Sequence, residues 1–92
     1  MNYGTNEDDI HKRLNVCIID DEERACLNLS NMLIEYVEPP INILGIFTST
    51  EDAEKQLSIL KPDAVFLDIE KPHENAFRFL DRISPFNFEV IS

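Results

Sequence analysis

Three acids close an apolar run near the start of the chain, where Val16-Cys17-Ile18-Ile19 leads directly into Asp20-Asp21-Glu22. A second apolar run, Ala64-Val65-Phe66-Leu67, also ends on an acid, Asp68. Each run reads as a buried strand that delivers a carboxylate at its carboxyl end, the edge of a parallel sheet where ligands sit. Neighbouring strands lie about 4.8 Å apart, so adjacency of these two would bring Asp20, Asp21 and Asp68 into one pocket. Like charges crowded together call for a cation. Mg2+ suits them, because it takes oxygen ligands, keeps several waters and usually binds through one or two carboxylates plus a phosphate. A carboxylate is also a nucleophile toward phosphorus and forms an aspartyl phosphate. Asp68, alone at its strand end, is the candidate nucleophile, and Asp20 and Asp21 are the candidate metal ligands. The plainer alternative is that such acids only cap the helices that follow, which explains Asp20 or Asp21 singly better than all three together.

Positioning these acids requires particular elements. The first strand covers Leu14 to Ile19, and Ala25, Leu29, Met32, Leu33 and Tyr36 mark one stripe of an amphipathic helix after it. Glu38-Pro39-Pro40 ends that helix, since proline cannot continue one. Ile41 to Phe47 supplies a second strand. Ser49, with Asp52 three residues on, resembles a capping box and opens a second helix carrying Ala53, Leu57 and Leu60. Lys61-Pro62-Asp63 leads into the third strand, and Lys71 to Glu74 reads as a loop. A third helix carries Ala76, Phe77, Leu80 and Ile83, and Phe88 to Ile91 begins a fourth strand. Strands alternating with helices specify an α/β fold with a parallel sheet. Right-handed crossovers and adjacency of strands one and three give the order 2-1-3-4, with the reversal beside the acids.

Composition narrows the function. With 8 Lys and Arg against 18 Asp and Glu, the formal net charge is −10. The scattered basic residues build no face for phosphates, which argues against direct nucleic-acid binding and against an anionic membrane surface. Cys17 and Cys26 lack CxxC spacing, so Cys17 reads as a small buried hydrophobe and reduced thiols suit a cytoplasmic location. His11 and His73 have no partners at zinc spacing. No apolar run is long enough to span a membrane. Residues 1–13 read as a polar, flexible arm, and 14–92 as the folded part.

The acidic pair Asp20-Asp21, the acceptor-like Asp68 and Pro72 four residues beyond it resemble the receiver domains of two-component response regulators. The resemblance runs from about Leu14 to the last residue. It implies a CheY-like, flavodoxin-like fold and a phosphoprotein of phosphorelay signal transduction that accepts a phosphoryl group on Asp68 from a histidine kinase. It also implies Mg2+ held by Asp20, Asp21, Asp68 and the main-chain carbonyl of Glu70. The segment PDAVFLDIEKP looks most like the LytR/AlgR type, which commonly precedes a LytTR DNA-binding output domain not found in these residues. Receivers often carry Met at the place of Lys71 and Gly at that of Ala76. They also place a hydroxyl residue at the end of strand four and a lysine at the end of strand five. By that pattern the chain is a partial receiver, with strand five and helices four and five missing and self-association through strand four expected. Such a domain is a signalling phosphoacceptor rather than an enzyme. Two alternatives stand beside it. One is a pseudo-receiver that only mediates protein contacts; the other is a metal-dependent phosphatase of the haloacid dehalogenase type. That phosphatase family expects an Asp where Glu70 stands.

Overall fold

The computed structural model describes residues 13–36, 38 and 40–92, so the arm expected over 1–13 lies outside the described residues except for Arg13, which is exposed. Among the described residues nine elements follow one another: β1 (Leu14–Asp20), α1 (Glu23–Tyr36), β2 (Ile41–Phe47), α2 (Thr50–Leu60), β3 (Ala64–Asp68), β4 (Glu70–Lys71), β5 (Glu74–Asn75), α3 (Ala76–Ile83) and β6 (Glu89–Ile91). The main sheet has the order β2-β1-β3-β6, and all of its pairings are parallel. This is the expected order 2-1-3-4, with β6 as the fourth strand. The α/β, flavodoxin-like reading of the sequence holds.

Strand alternation divides the core into two layers, one on each sheet face. Val16, Ile18 and Ala64 face α1, where Cys26 and Leu33 complete a buried cluster with Ile41. Cys17, Ile19, Val65 and Leu67 face the other way and meet Ala53 and Leu57 of α2, together with Phe79 of α3. Right-handed crossovers produce this division, with α1 on one face and α2 and α3 on the other. Both strands that deliver the acids are therefore buried on two sides, which holds their ends in fixed positions.

Local chemistry accounts for the helix ends. Ser49 accepts a hydrogen bond at its Oγ from the Asp52 amide at 3.1 Å, as the capping motif requires. Asn75 caps α3 in the same way, its Oδ1 accepting from the Arg78 amide. Lys61 ends α2 in the left-handed region at φ 50°, and its amide donates to the Leu57 carbonyl. At the amino-terminal edge of the sheet, Asp63 accepts from the Asn15 amide through Oδ2 and from the Glu89 amide through its carbonyl. That residue ties β1, β3 and β6 together. Between Val16 and Cys17 the β1–β2 register shifts, leaving Leu44 as the extra residue and setting Gly45 opposite Cys17. A Cβ at Gly45 would meet the Phe47 ring at 2.7 Å, so glycine here makes room for that ring.

Three expectations are corrected. The inward stripe of α1 runs through Cys26, Ser30 and Leu33, while Met32 and Tyr36 are exposed. In α3 the buried aromatic is Phe79, and Phe77 is 84% exposed. The segment from Lys71 to Glu74 is no irregular loop: β4 and β5 pair antiparallel across Pro72-His73, with Glu70 opposite Asn75 and Lys71 opposite Glu74.

Candidate functional site

The carboxyl edge of the sheet carries the acids. β1 and β3 pair in a register that sets Asp20 directly opposite Asp68. Both continue the rows that face α1: Asp20 follows Val16 and Ile18, and Asp68 follows Ala64 and Phe66. Asp68 is exposed and Asp20 is half-buried. The Oδ1 of Asp20 accepts from the Glu22 amide at 2.9 Å, turning the chain toward α1. This bond closes a local turn ahead of the helix and leaves the second oxygen of Asp20 for another partner.

Asp21 lies elsewhere on the rim. A cleft of about 450 Å³ opens on the α2 and α3 side of the sheet edge, and Asp21 lines it together with Ile19, Ile69, Thr48, Lys71, His73 and Arg82. Asp20 and Asp68 are absent from that lining. Alternation is the reason: Ile19 and Ile69 belong to the opposite row from Asp20 and Asp68. Asp21 thus borders the cleft, and Asp20 and Asp68 form a register-matched pair at the adjoining strand ends. Among the described residues no three His, Cys, Asp or Glu side chains gather as a ready metal-holding group. The donor set nevertheless suits Mg2+. It is all oxygen, carries several negative charges at an open edge, and a Mg2+ ion needs only one or two carboxylates with water completing its shell.

Glu70, the residue expected to lend its carbonyl, begins the hairpin one residue after buried Ile69. The hairpin is fastened from α3. Arg82 donates through Nη1 and Nη2 to the two carboxylate oxygens of Glu74 at 3.1 and 3.0 Å, and through Nε to Glu54 of α2 at 2.8 Å. The same guanidinium lies 5.7 Å from the ring centroid of Phe79. Hydrogen bonds to the two glutamates push the Arg82 pKa upward. Sequence reading missed this triad. Glu54 and Arg82 sit on different helices, and only the hairpin turn brings Glu74 beside them.

The cysteines stand apart from this chemistry. Burial pushes the Cys17 thiol up to about 11, and burial followed by the Asp20 charge raises that of Cys26. Facing opposite sides of the sheet, both are free thiols.

No protein-family model matches the chain. An uncharacterized response regulatory protein of Vibrio cholerae is 33% identical over 72 residues, which is 78% of this chain and 30% of that protein. The protein-glutamate methylesterase/protein-glutamine glutaminase of Bacillus subtilis is 33% identical over 79 residues, covering 85% of this chain and 22% of that protein. The chain thus spans less than a third of these relatives. Among solved structures, the signal receiver domain of a modulated diguanylate cyclase from Desulfovibrio desulfuricans aligns with TM-score 0.71 at 24% identity, over 85% of this chain and 62% of that one. The response regulator domain of Thermotoga maritima CheB aligns with TM-score 0.57 at 24% identity, over 82% and 57% of the two chains. The relatives of this chain are response regulators and protein-glutamate methylesterases, and its fold is that of the CheY-like signal receiver domains.

Proposed function

We propose that this chain is a phosphoacceptor receiver, which takes a phosphoryl group on Asp68 from a histidine kinase in the cytoplasm and passes the signal to an output domain. The register pairing of Asp20 with Asp68 carries this reading. It joins an exposed nucleophile to a neighbouring oxygen donor at the open end of a rigid sheet. Asp20, Asp21, Asp68 and the carbonyl of Glu70 would hold Mg2+. When bound, the ion supplies the positive charge that offsets the oxygens of a transferring phosphoryl group. The Asp68 carboxylate attacks phosphorus in line, the bond from phosphorus to the donor atom breaks, and the donor leaves with that electron pair. Charge and position are the whole of the chain's contribution, as suits a signalling domain rather than a turnover enzyme. The sequence PDAVFLDIEKP supports the LytR/AlgR type, with a LytTR module as the output.

A Mg2+ titration tests the metal site. The parent should show saturable, weak binding, because such sites usually await a phosphate oxygen. Asp21→Asn should bind with lower affinity. Identical curves would remove Asp21 from the site, and an absence of saturable binding in the parent would favour a module that works by protein contact alone.

A second copy of the chain is a further partner. Among the described residues β6 pairs only with β3 and forms one edge of the sheet. Beside it, Ile91 is 43% exposed on the α1 side, next to half-buried Phe66. An unpaired edge flanked by apolar side chains favours pairing with another chain. Light scattering of the 92-residue chain over a concentration series should show mass rising above that of a monomer. A folded species that stays monomeric at high concentration would refute this.

A further inference from the structure

Given the metal-dependent reading above, we infer that Arg82 is a positioning residue that holds the Glu70–Asn75 hairpin, and with it the Glu70 carbonyl, at the rim beside Asp68. The hairpin has few bonds of its own. Its strands are two residues each, its backbone pairs are Glu70 with Asn75 and Lys71 with Glu74, and most of its side chains are exposed. Two-residue strands on the surface do not hold a conformation by themselves. At its start the chain is anchored by Ile69, which is 6% exposed in the core against α2 and α3. At its far side the anchor is Glu74, clasped by both terminal nitrogens of Arg82. This fork-to-fork geometry fixes orientation as well as distance, which a single contact does not.

Arg82 is itself held in place. Its Nε donates to Glu54 of α2, and its guanidinium lies over Phe79, which is fully buried. The hairpin is thereby referred to two helices that pack on the same sheet face. Isolated surface ion pairs contribute little, whereas a bidentate pair within a network is the exception. The arrangement also stands where it can matter to the site. Arg82, Glu74 and Glu54 line the same cleft as Asp21, Lys71 and His73. Loosening Glu74 frees the turn that carries Lys71 and lets the Glu70 carbonyl wander from the rim.

Simple electrostatics and positioning predict opposite signs, and that contrast makes the test sharp. Arg82→Gln removes a positive charge near an acidic rim, which by Coulomb attraction alone should strengthen Mg2+ binding. If Arg82 positions the hairpin, the same substitution should weaken Mg2+ binding by about tenfold, the scale of outer contacts that orient metal ligands. Arg82→Lys keeps the charge but not the fork, so it should fall between parent and Arg82→Gln. Nuclear magnetic resonance should show lower backbone order parameters for residues 70–75 in Arg82→Gln, with those of β3 unchanged. The experiment is a Mg2+ titration of the parent and both variants, with order parameters measured on the metal-free proteins. Weaker binding together with a loosened hairpin supports the role. Unchanged or stronger Mg2+ binding in Arg82→Gln overturns it, as does a hairpin of unchanged order. A parent that binds no Mg2+ instead overturns the metal site proposed above, and the positioning role falls with it.

Discussion

Phe79→Ala should cost about 3–5 kcal/mol of folding stability, the usual scale for removing a buried aromatic ring. Among the described residues Phe79 is the one fully buried aromatic, packed in the cluster formed by Cys17, Ile19, Leu57, Val65 and Leu67. It joins α3 to the sheet face shared with α2. Small domains have about 5–15 kcal/mol in total, so the loss removes a large part of what holds this one folded. The ring also lies beneath the Arg82 guanidinium, so its removal loosens the support of the hairpin as well. Phe77, two residues away and 84% exposed, is the matched control. Phe77→Ala should stay within about 0.5 kcal/mol of the parent. Urea unfolding of the two variants and the parent measures both. Equal losses for the two phenylalanines would contradict the placement of α3.

That pair of residues shows how far sequence reaches. Side chains two apart on a helix point about 200° away from each other, so Phe77 and Phe79 cannot both face the sheet. The sequence pattern sets Phe77 in the stripe with Ala76, Leu80 and Ile83. Packing against Val65 and Leu67 selects Phe79. In α1 the same difficulty takes another form. Ser30 reads as polar, yet it is 9% exposed against the sheet, while the larger and more apolar Met32 and Tyr36 face outward. A count of apolar types rewards size, whereas a helix laid on a sheet favours small residues where the backbones approach. The β4–β5 hairpin was hidden for a different reason. Glu70, Lys71, Glu74 and Asn75 include no β-branched or aromatic residue, so nothing in their types announces strands.

The strands that carry the acids were legible because burial on both faces demands continuous apolar runs, and such runs end abruptly at Asp20 and Asp68. Their adjacency was the premise that gave the order 2-1-3-4, and the pairing now bears it out and sets Asp20 opposite Asp68. What the sequence did not reveal is the cleft itself: Asp21 follows the end of β1 and lines it with residues drawn from the β2–α2 connection, α2, the hairpin and α3. Nor did any local pattern point to Arg82, whose partners come from two other elements.

The largest functional effect is expected at Asp68. Its carboxylate stands exposed at the strand end with Asp20 as its register partner. An amide in its place has the same shape but lacks the negative charge and the free oxygen pair that attack phosphorus. Asp68→Asn should therefore abolish phosphoryl transfer while leaving the fold intact, because the residue is at the surface and takes no part in the core. The decisive measurement is the intact mass of parent and Asp68→Asn after incubation with acetyl phosphate, with and without Mg2+. The parent should gain one phosphoryl group, dependent on Mg2+, and the variant none. Equal labelling of both proteins, or no labelling of a folded, Mg2+-saturated parent, would contradict this role of Asp68.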